Sequence, residues 1–86
     1  MPPMNSKMDK SLRLLIALDR RPQSSHELAL TLDTSRPTVV RLVEDLRGMG
    51  CQIEAVRQGR ADWSYHLQDW GVFSAERVRR HLSNGA

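Results

Sequence analysis

Apolar residues recur at steps of three and four along the first half of the chain, which is the period of an α-helix. The first stripe of such residues runs over positions 8–18 and ends before Pro22, and proline disfavours a continuing helix. A second, shorter stripe follows Ser24, and a third one follows Ser35. The pattern predicts three consecutive helices, and we expect residues 1–7 before them to form a disordered N-terminus.

Short polar sequences mark where the second and third helices begin. Ser24 and Glu27 have the spacing of a capping box, in which the serine hydroxyl and the carboxylate each accept the other residue's amide. Ser35 is placed to cap the third helix, and Pro37 is tolerated in its first turn because amides there lack intrahelical partners. The second helix must therefore end near Asp33, which leaves only a tight turn before the third.

After Gly50 the period of the apolar residues changes from about 3.6 to 2, which indicates β-strands. The first alternation covers positions 51–56, and the second covers positions 63–67 after a polar loop. Two such runs predict a β-hairpin. Ser74 can then cap a short basic helix that continues to about Leu82.

The order of these elements is helix, helix, tight turn, helix, hairpin and short helix. Two helices joined by a turn of three or four residues form a helix-turn-helix, whose second helix enters the major groove of DNA. The predicted fold is α+β and mostly α: a three-helix winged helix-turn-helix with a two-stranded β-hairpin wing and a short C-terminal helix. We expect the winged domain to cover residues 8–68 and a C-terminal extension, a candidate dimerisation segment, to cover residues 69–86.

The sequence of the two helices resembles a known family. It reads Ser24-x-x-Glu27-Leu28-Ala29-x-x-Leu32 and then Ser35-x-x-Thr38-Val39-x-Arg41-x-Val43-Glu44-x-Leu46. This pattern is similar to the type-11 winged helix-turn-helix, the module of the biotin operon repressor, of DeoR-like regulators and of regulators with WYL domains. Gly50, Ile53 and Tyr65-x-Leu67 stand where those domains place their wing strands. The resemblance covers residues 8–68 and implies binding to double-stranded DNA.

Three positions depart from the family's usual pattern. Asp33-Thr34 replaces the usual Gly-Val of the turn, so Asp33 is expected in a strained but tolerated left-handed conformation. Leu30 stands where a charged, exposed residue is usual, and the wing loop over residues 58–63 is longer than the usual glycine-rich tip.

The third helix carries the candidate base-reading residues. Its apolar stripe points inward, and at 100° per residue the opposite face is left for DNA. We expect base reading from Arg41, Thr38, Pro37 and Val40. Arg41 is the foremost of these because a guanidinium can bond O6 and N7 of guanine together.

Phosphate contacts are expected from hydroxyls at helix starts and from arginines near the groove. The candidates are Ser24, Ser25, Ser35, Arg36, Arg57 and Arg60. The alternatives remain open: the arginines of the third helix can pair with Asp33 and Asp45, and those of the wing can simply keep it soluble. We interpret Trp63 and Trp70 as packing residues of the hairpin and the C-terminal segment.

Composition and residue spacing indicate which functions are not expected. Thirteen basic and ten acidic residues give a net charge of +3, which indicates an anionic partner only weakly. The three histidines are far apart in the sequence, and no Cys/His or carboxylate cluster has metal-ligand spacing. No residue is set up as an activated nucleophile. We therefore expect no catalysis, no metal and no cofactor.

The single cysteine, Cys51, is interpreted as a small core residue, and the lack of a disulfide framework agrees with a reducing bacterial cytoplasm or nucleoid. No apolar run approaches the roughly 20 residues that span a bilayer. The N-terminus also has no apolar segment of the kind found in secretory signals.

The sequence favours a small transcriptional regulator, and within that class a repressor of phage or mobile-element type, because the short chain has no room for a sensor domain. No small-molecule effector is expected. We expect a homodimer that uses apolar residues of the C-terminal segment and, on the first helix, Leu14 and Leu18. The C-terminal residues are Trp70, Val72, Phe73, Val78 and Leu82. The alternative is that this segment folds back onto the monomer's own core.

Two other functions remain open. Winged helices can be protein-interaction adaptors, and Leu30 with Trp70, Val72 and Phe73 is a candidate partner surface. The chain can also be the DNA-recognition subunit of an excision, partition or replication complex.

Overall fold

A computed structural model describes residues 6–57, 59 and 63–84. The elements in this part of the chain are α1 (Ser6–Arg20), β1 (Gln23–Ser24), α2 (Ser25–Thr31), α3 (Arg36–Gly48), β2 (Gln52–Arg57), β3 (Trp63–Asp69) and α4 (Ala75–Asn84). Their order is that of the predicted winged helix-turn-helix, and the α+β, mostly helical fold class is confirmed.

Two helices are longer than their apolar patterns predict. Helix α1 begins at Ser6, so residues 6–7 of the segment expected to be disordered are helical. The structure does not describe residues 1–5. Helix α4 continues past Leu82 to Asn84. In both cases the extra residues are polar, so the apolar pattern that defined the predicted limits could not include them.

The predicted helix starts are confirmed in atomic detail. Ser24 Oγ accepts the Glu27 amide at 3.1 Å, and the Glu27 carboxylate accepts the Ser24 amide at 3.0 Å. Ser35 Oγ accepts the Thr38 amide at 3.3 Å, which caps α3 with Pro37 in its first turn. Asp33 has a φ of 53°, the left-handed conformation expected for the turn.

The hairpin is part of a larger sheet than predicted. Strands β2 and β3 pair as expected, and β1 adds a third antiparallel strand beside β3, with Gln23 opposite Tyr65 and Ser24 opposite Ser64. The Gln23 side chain is buried and donates to the Ala17 carbonyl at 2.9 Å. The two-residue strand therefore ties the end of α1 and the start of α2 to the wing.

The core lies between the three N-terminal helices and one face of the sheet. The predicted stripes of α2 and α3 are confirmed as buried. Of the predicted α1 stripe, Leu12, Leu15 and Leu18 are buried, while Met8 and Ile16 are partly buried, and α1 also buries Leu14. The residues that are almost completely buried are Leu14, Leu15, Leu28, Leu42, Leu46, Val39 and Val43. This packing leaves one face of α3 to solvent.

The C-terminal segment folds back onto the monomer. Helix α4 packs on α1, Val78 is only 4% exposed, and Trp70, Phe73 and Leu82 pack against the core. Val72 differs, because 77% of it is exposed. Most of the apolar surface that the sequence offered for a dimer interface is thus used within one chain.

Polar contacts hold α4 in the same place. Arg79 forms an ion pair with Asp19, and His81 Nε2 lies 3.2 Å from the Asp9 carboxylate. The proposed contribution of α1 to a dimer is wrong, because Leu14 and Leu18 are buried in the monomer.

Cys51 is a small core residue, as predicted. Burial raises the pKa of its thiol, and Asp69 adds to the effect. The thiol donates to the Trp70 carbonyl at 3.2 Å. A buried thiol with a raised pKa is a poor nucleophile, which agrees with a structural role.

Candidate nucleic-acid interface

The solvent face of α3 carries the side chains expected to read bases. Pro37, Val40, Arg41 and Glu44 are exposed on the face opposite the buried stripe. Within the described residues, the Arg41 guanidinium makes no hydrogen bond or ion pair. The side chain is therefore available to a ligand, and the alternative in which it pairs with Asp45 is not observed.

The start of α3 is held by its own hydroxyls and by α2. The Ser35 and Thr38 hydroxyls lie 2.9 Å apart and are bonded to each other. Arg36 Nε donates to Ser25 Oγ at 3.3 Å. This contact joins the starts of the two helices of the helix-turn-helix, and no ion pair of Arg36 with Asp33 is observed among the described residues.

A half-open polar cleft of about 580 Å³ lies between the starts of α2 and α3 and strand β3. Its lining residues are Pro22, Ser24, Ser25, His26, Glu27, Arg36, Trp63, Ser64 and His66. Three of the expected phosphate contacts, Ser24, Ser25 and Arg36, are therefore neighbours in space. Ser35 lies one residue before Arg36, at the start of α3.

Arg57, the expected wing contact that the structure describes, lies at the loop end of the hairpin. Arg57 is the last residue of β2, opposite Trp63 in the sheet register, and its Nε donates to the Gly59 carbonyl at 3.0 Å. Arg60 belongs to the part of the loop that the structure does not describe.

The geometry and a family comparison lead to the same assignment. A model of a helix-turn-helix (HTH) domain family of type 11 matches residues 9–59. The chain belongs to this family of DNA-binding HTH domains. The match includes the capping box, the turn at Asp33, the whole of α3 and strand β2.

Other comparisons concern the fold alone. The HTH domain is similar to the crystal structure of a DUF2131 family protein from Shewanella amazonensis, with a TM-score of 0.78 and 18% sequence identity. The similarity covers 98% of this chain and 89% of that chain, so it includes α4 as well as the winged helix. A search of curated proteins gives no significant match.

Arg47 positions the recognition helix of the HTH domain against the wing. Its Nε and Nη2 donate to the Ile53 carbonyl at 3.0 and 2.8 Å, and its Nη1 donates to Glu44 at 2.7 Å. These bonds join the end of α3 to the start of β2. The sequence carries no signal for them, because an arginine that binds a strand carbonyl cannot be told from a solvated one by spacing.

Arg36 and Glu27 are the charged side chains of opposite sign that line the cleft. The hydrogen bond from the Ser24 amide, together with Arg21 at 3.3 Å, holds the pKa of the Glu27 carboxyl below its ordinary value. This carboxylate is thus bound by the Ser24 amide and by Arg21, while Arg36 at the cleft wall donates to the Ser25 hydroxyl and pairs with no carboxylate of the described residues.

Among the residues with described positions, no group of three or more His, Cys, Asp or Glu side chains has the arrangement of a metal site. No helix in the described ranges is long and apolar enough to cross a membrane.

Proposed function

We propose that this HTH domain binds double-stranded DNA sequence-specifically and acts as a small transcriptional regulator. The observation that carries the proposal is the solvent face of α3, where Arg41 is exposed and without a partner among the described residues. An α-helix fits the major groove of B-DNA, and an arginine there can form a bidentate pair with guanine.

The base-reading surface consists of Arg41 with the smaller contacts around it. Val40 is exposed one residue before Arg41 and is suited to contact a thymine methyl group. Pro37 and Thr38 lie one turn earlier, where the start of the helix is expected to be deepest in the groove. The Thr38 hydroxyl, bound to Ser35, can contact a base edge or the backbone while it stays oriented.

The proposed phosphate contacts form two groups. The first group is Ser24, Ser25 and Arg36 of the cleft with Ser35 at the start of α3, and the second is the wing arginines, Arg57 and Arg60. Contacts to phosphates fix the position of a protein on the duplex and carry no sequence information. We propose that they supply affinity for any duplex, while Arg41 supplies discrimination.

Repression is the regulatory role that this architecture suits best. A domain that occupies its operator excludes other proteins sterically and needs no further activity to do so. We propose a repressor of phage or mobile-element type that works in the bacterial cytoplasm or nucleoid without a small-molecule effector.

The affinity for duplex DNA should depend steeply on salt. Each phosphate that an arginine neutralises releases counterions, so Arg36, Arg57 and Arg60 together should make the association constant fall about 40-fold between roughly 50 and 200 mM salt. Fluorescence anisotropy with a labelled duplex, selected from a random library, measures this slope. If the folded protein binds no duplex at low salt, DNA binding is excluded and the protein-interaction adaptor becomes the better hypothesis.

We also propose that the working form is a homodimer on DNA. One recognition helix covers only a few base pairs, and two copies on a two-fold axis read half-sites about one helical turn apart. The exposed Val72, beside the partly buried Trp70 and Phe73, is the apolar surface that the C-terminal segment keeps available. Sedimentation velocity with and without the selected duplex should give two chains per operator; one chain per site at saturation would contradict the dimer.

A further inference from the structure

Trp63 is exposed at the loop end of the hairpin, on the same cleft as the start of α3. It is the first residue of β3, 49% of it is exposed, and it lines the polar cleft together with Arg36. The sequence interpretation of Trp63 as a packing residue of the hairpin accounts for only half of this side chain. A large aromatic surface left in water beside a polar cleft is typical of a binding site.

His66 lines the same cleft and has an unsatisfied nitrogen. Among the described residues, its Nε2 is buried and has no hydrogen-bond partner. A buried nitrogen without a partner is costly, and an imidazole can donate or accept at this atom. A rotation of the ring toward the cleft would give Nε2 access to a ligand, and such rotations are common when an interface forms.

The cleft has the size for a segment of nucleic-acid backbone and carries an arginine for a phosphate. Its volume of about 580 Å³ lies within the range of sites that bind whole small molecules rather than single ions. Arg36 provides a cation, and the carboxylate of Glu27 is engaged by Ser24 and Arg21. Arg36 is the first residue of α3 and lines the cleft, so the cleft borders the start of the helix that carries Arg41.

We propose that this cleft binds the sugar–phosphate backbone of one DNA strand, with Trp63 and His66 as contact residues. Arg36 pairs with a phosphate, His66 Nε2 donates to a phosphate oxygen of the same strand, and the indole of Trp63 packs on the adjacent deoxyribose. The inference rests on the proposed DNA binding and adds two residues that carry no charge signal in the sequence. Because sugars and phosphates are the same at every step, these contacts strengthen binding to all sequences equally.

Tryptophan fluorescence tests the contact directly. In a Trp70→Phe background, Trp63 is the single tryptophan, and quenching by acrylamide reports its exposure. Binding of a duplex at low salt should protect Trp63 from the quencher. Inorganic phosphate at the same ionic strength should not, because a free ion does not cover the indole.

Affinity measurements test the energetic contribution. Trp63→Ala should weaken binding about 5- to 10-fold on the selected duplex and on a scrambled duplex alike, with a smaller loss for Trp63→Phe. His66→Phe should weaken binding to both duplexes, and His66→Gln should retain most of it because the amide can still donate. Leu30→Ala is the matched control, since it removes an apolar side chain that is 71% exposed and lies outside the cleft, and it should leave the affinity unchanged.

The outcomes separate this inference from the function on which it rests. If the wild-type protein binds duplex DNA but Trp63 stays open to the quencher and Trp63→Ala binds as tightly as the wild type, the cleft is not a backbone site, while DNA binding stands. Protection by inorganic phosphate alone would assign the cleft to a small anion and overturn the proposal. If no duplex binds at low salt, both proposals are wrong.

Discussion

Replacing Gly71 with alanine is expected to lower the free energy of unfolding by about 2–5 kcal/mol, the largest effect of any single substitution considered for this chain. Gly71 has a φ of +63°, and an added Cβ would lie 2.5 Å from the Cys51 nitrogen and 2.5 Å from the Gly50 carbonyl carbon. Those atoms are backbone, so they cannot move aside as a flexible side chain does. The substitution therefore combines left-handed strain with a steric clash.

The effect is large because Gly71 lies where two connections cross. The segment after β3 passes over the link between α3 and β2, and the Val72 amide donates to the Met49 carbonyl at 3.3 Å. Pushing the two connections apart disturbs this bond and the nearby contact of Cys51 with Trp70. For a domain of this size, we expect the Tm to fall by roughly 10–30 °C.

Gly48→Ala is the matched control. Gly48 is the last residue of α3, it does not have a positive φ, and a Cβ there meets no atom within 4 Å. Because alanine stabilises a helix more than glycine does, the free energy of unfolding of this variant should be unchanged or higher by about 0.5–1 kcal/mol. Thermal and urea denaturation followed by circular dichroism measure both variants. Equal stability of the two would show that the crossing at Gly71 is not as tight as described.

Replacing Arg41 with alanine should remove discrimination at one or two base pairs of the selected duplex, at a cost of about 1–3 kcal/mol. On scrambled DNA the same variant should lose little, because a bidentate pair with guanine forms only where that base is present. The stability should not change, since the side chain is exposed and without a partner within the described residues. Competition binding against duplexes substituted one base pair at a time locates the position that Arg41 reads.

Three other arginines are controls for the loss of charge. Arg36→Ala and Arg60→Ala should weaken binding to all duplexes alike and reduce the salt slope by about one unit each. Arg77→Ala removes the same charge from α4, which packs on α1, and it should have little effect on either duplex. An equal loss for Arg41→Ala on selected and scrambled DNA would assign base reading to another residue.

The elements with a strong local pattern were predicted correctly. The stripes of α2 and α3 are buried as expected, and the Ser24–Glu27 box and the Ser35 cap form as expected. Each of these features depends on residues at most four positions apart. Periodicity and capping act over that distance, so the sequence states them directly.

The family assignment was also available from the sequence, because the same local features in the same order define the helix-turn-helix. The solvent face of α3 follows from its buried face by rotation about the helix axis. The candidate base-reading residues, Arg41 and its neighbours, could therefore be named before their positions were known. Their exposure is confirmed, and their contacts with bases remain a prediction.

The tertiary structure alone decided the features that join distant parts of the chain. Strand β1 has two residues, too few for an alternating pattern, and exists because Gln23 and Ser24 meet β3 some forty positions later. The bond of Arg36 to Ser25 and the bonds of Arg47 to Ile53 likewise arise only when separate elements meet.

The placement of the C-terminal segment was decided in the same way. An amphipathic α4 buries its apolar side equally well against a second copy or against its own chain, and the local pattern is identical in both cases. Contact with α1 through Val78 and the Arg79–Asp19 pair selects the monomer's own core. The cleft beside α3 also depends on tertiary packing. Trp63 and Arg36 are 27 positions apart in the sequence, and only the packing of the wing against the helices makes them neighbours. Local periodicity could not predict this, because it carries no information about which surfaces meet.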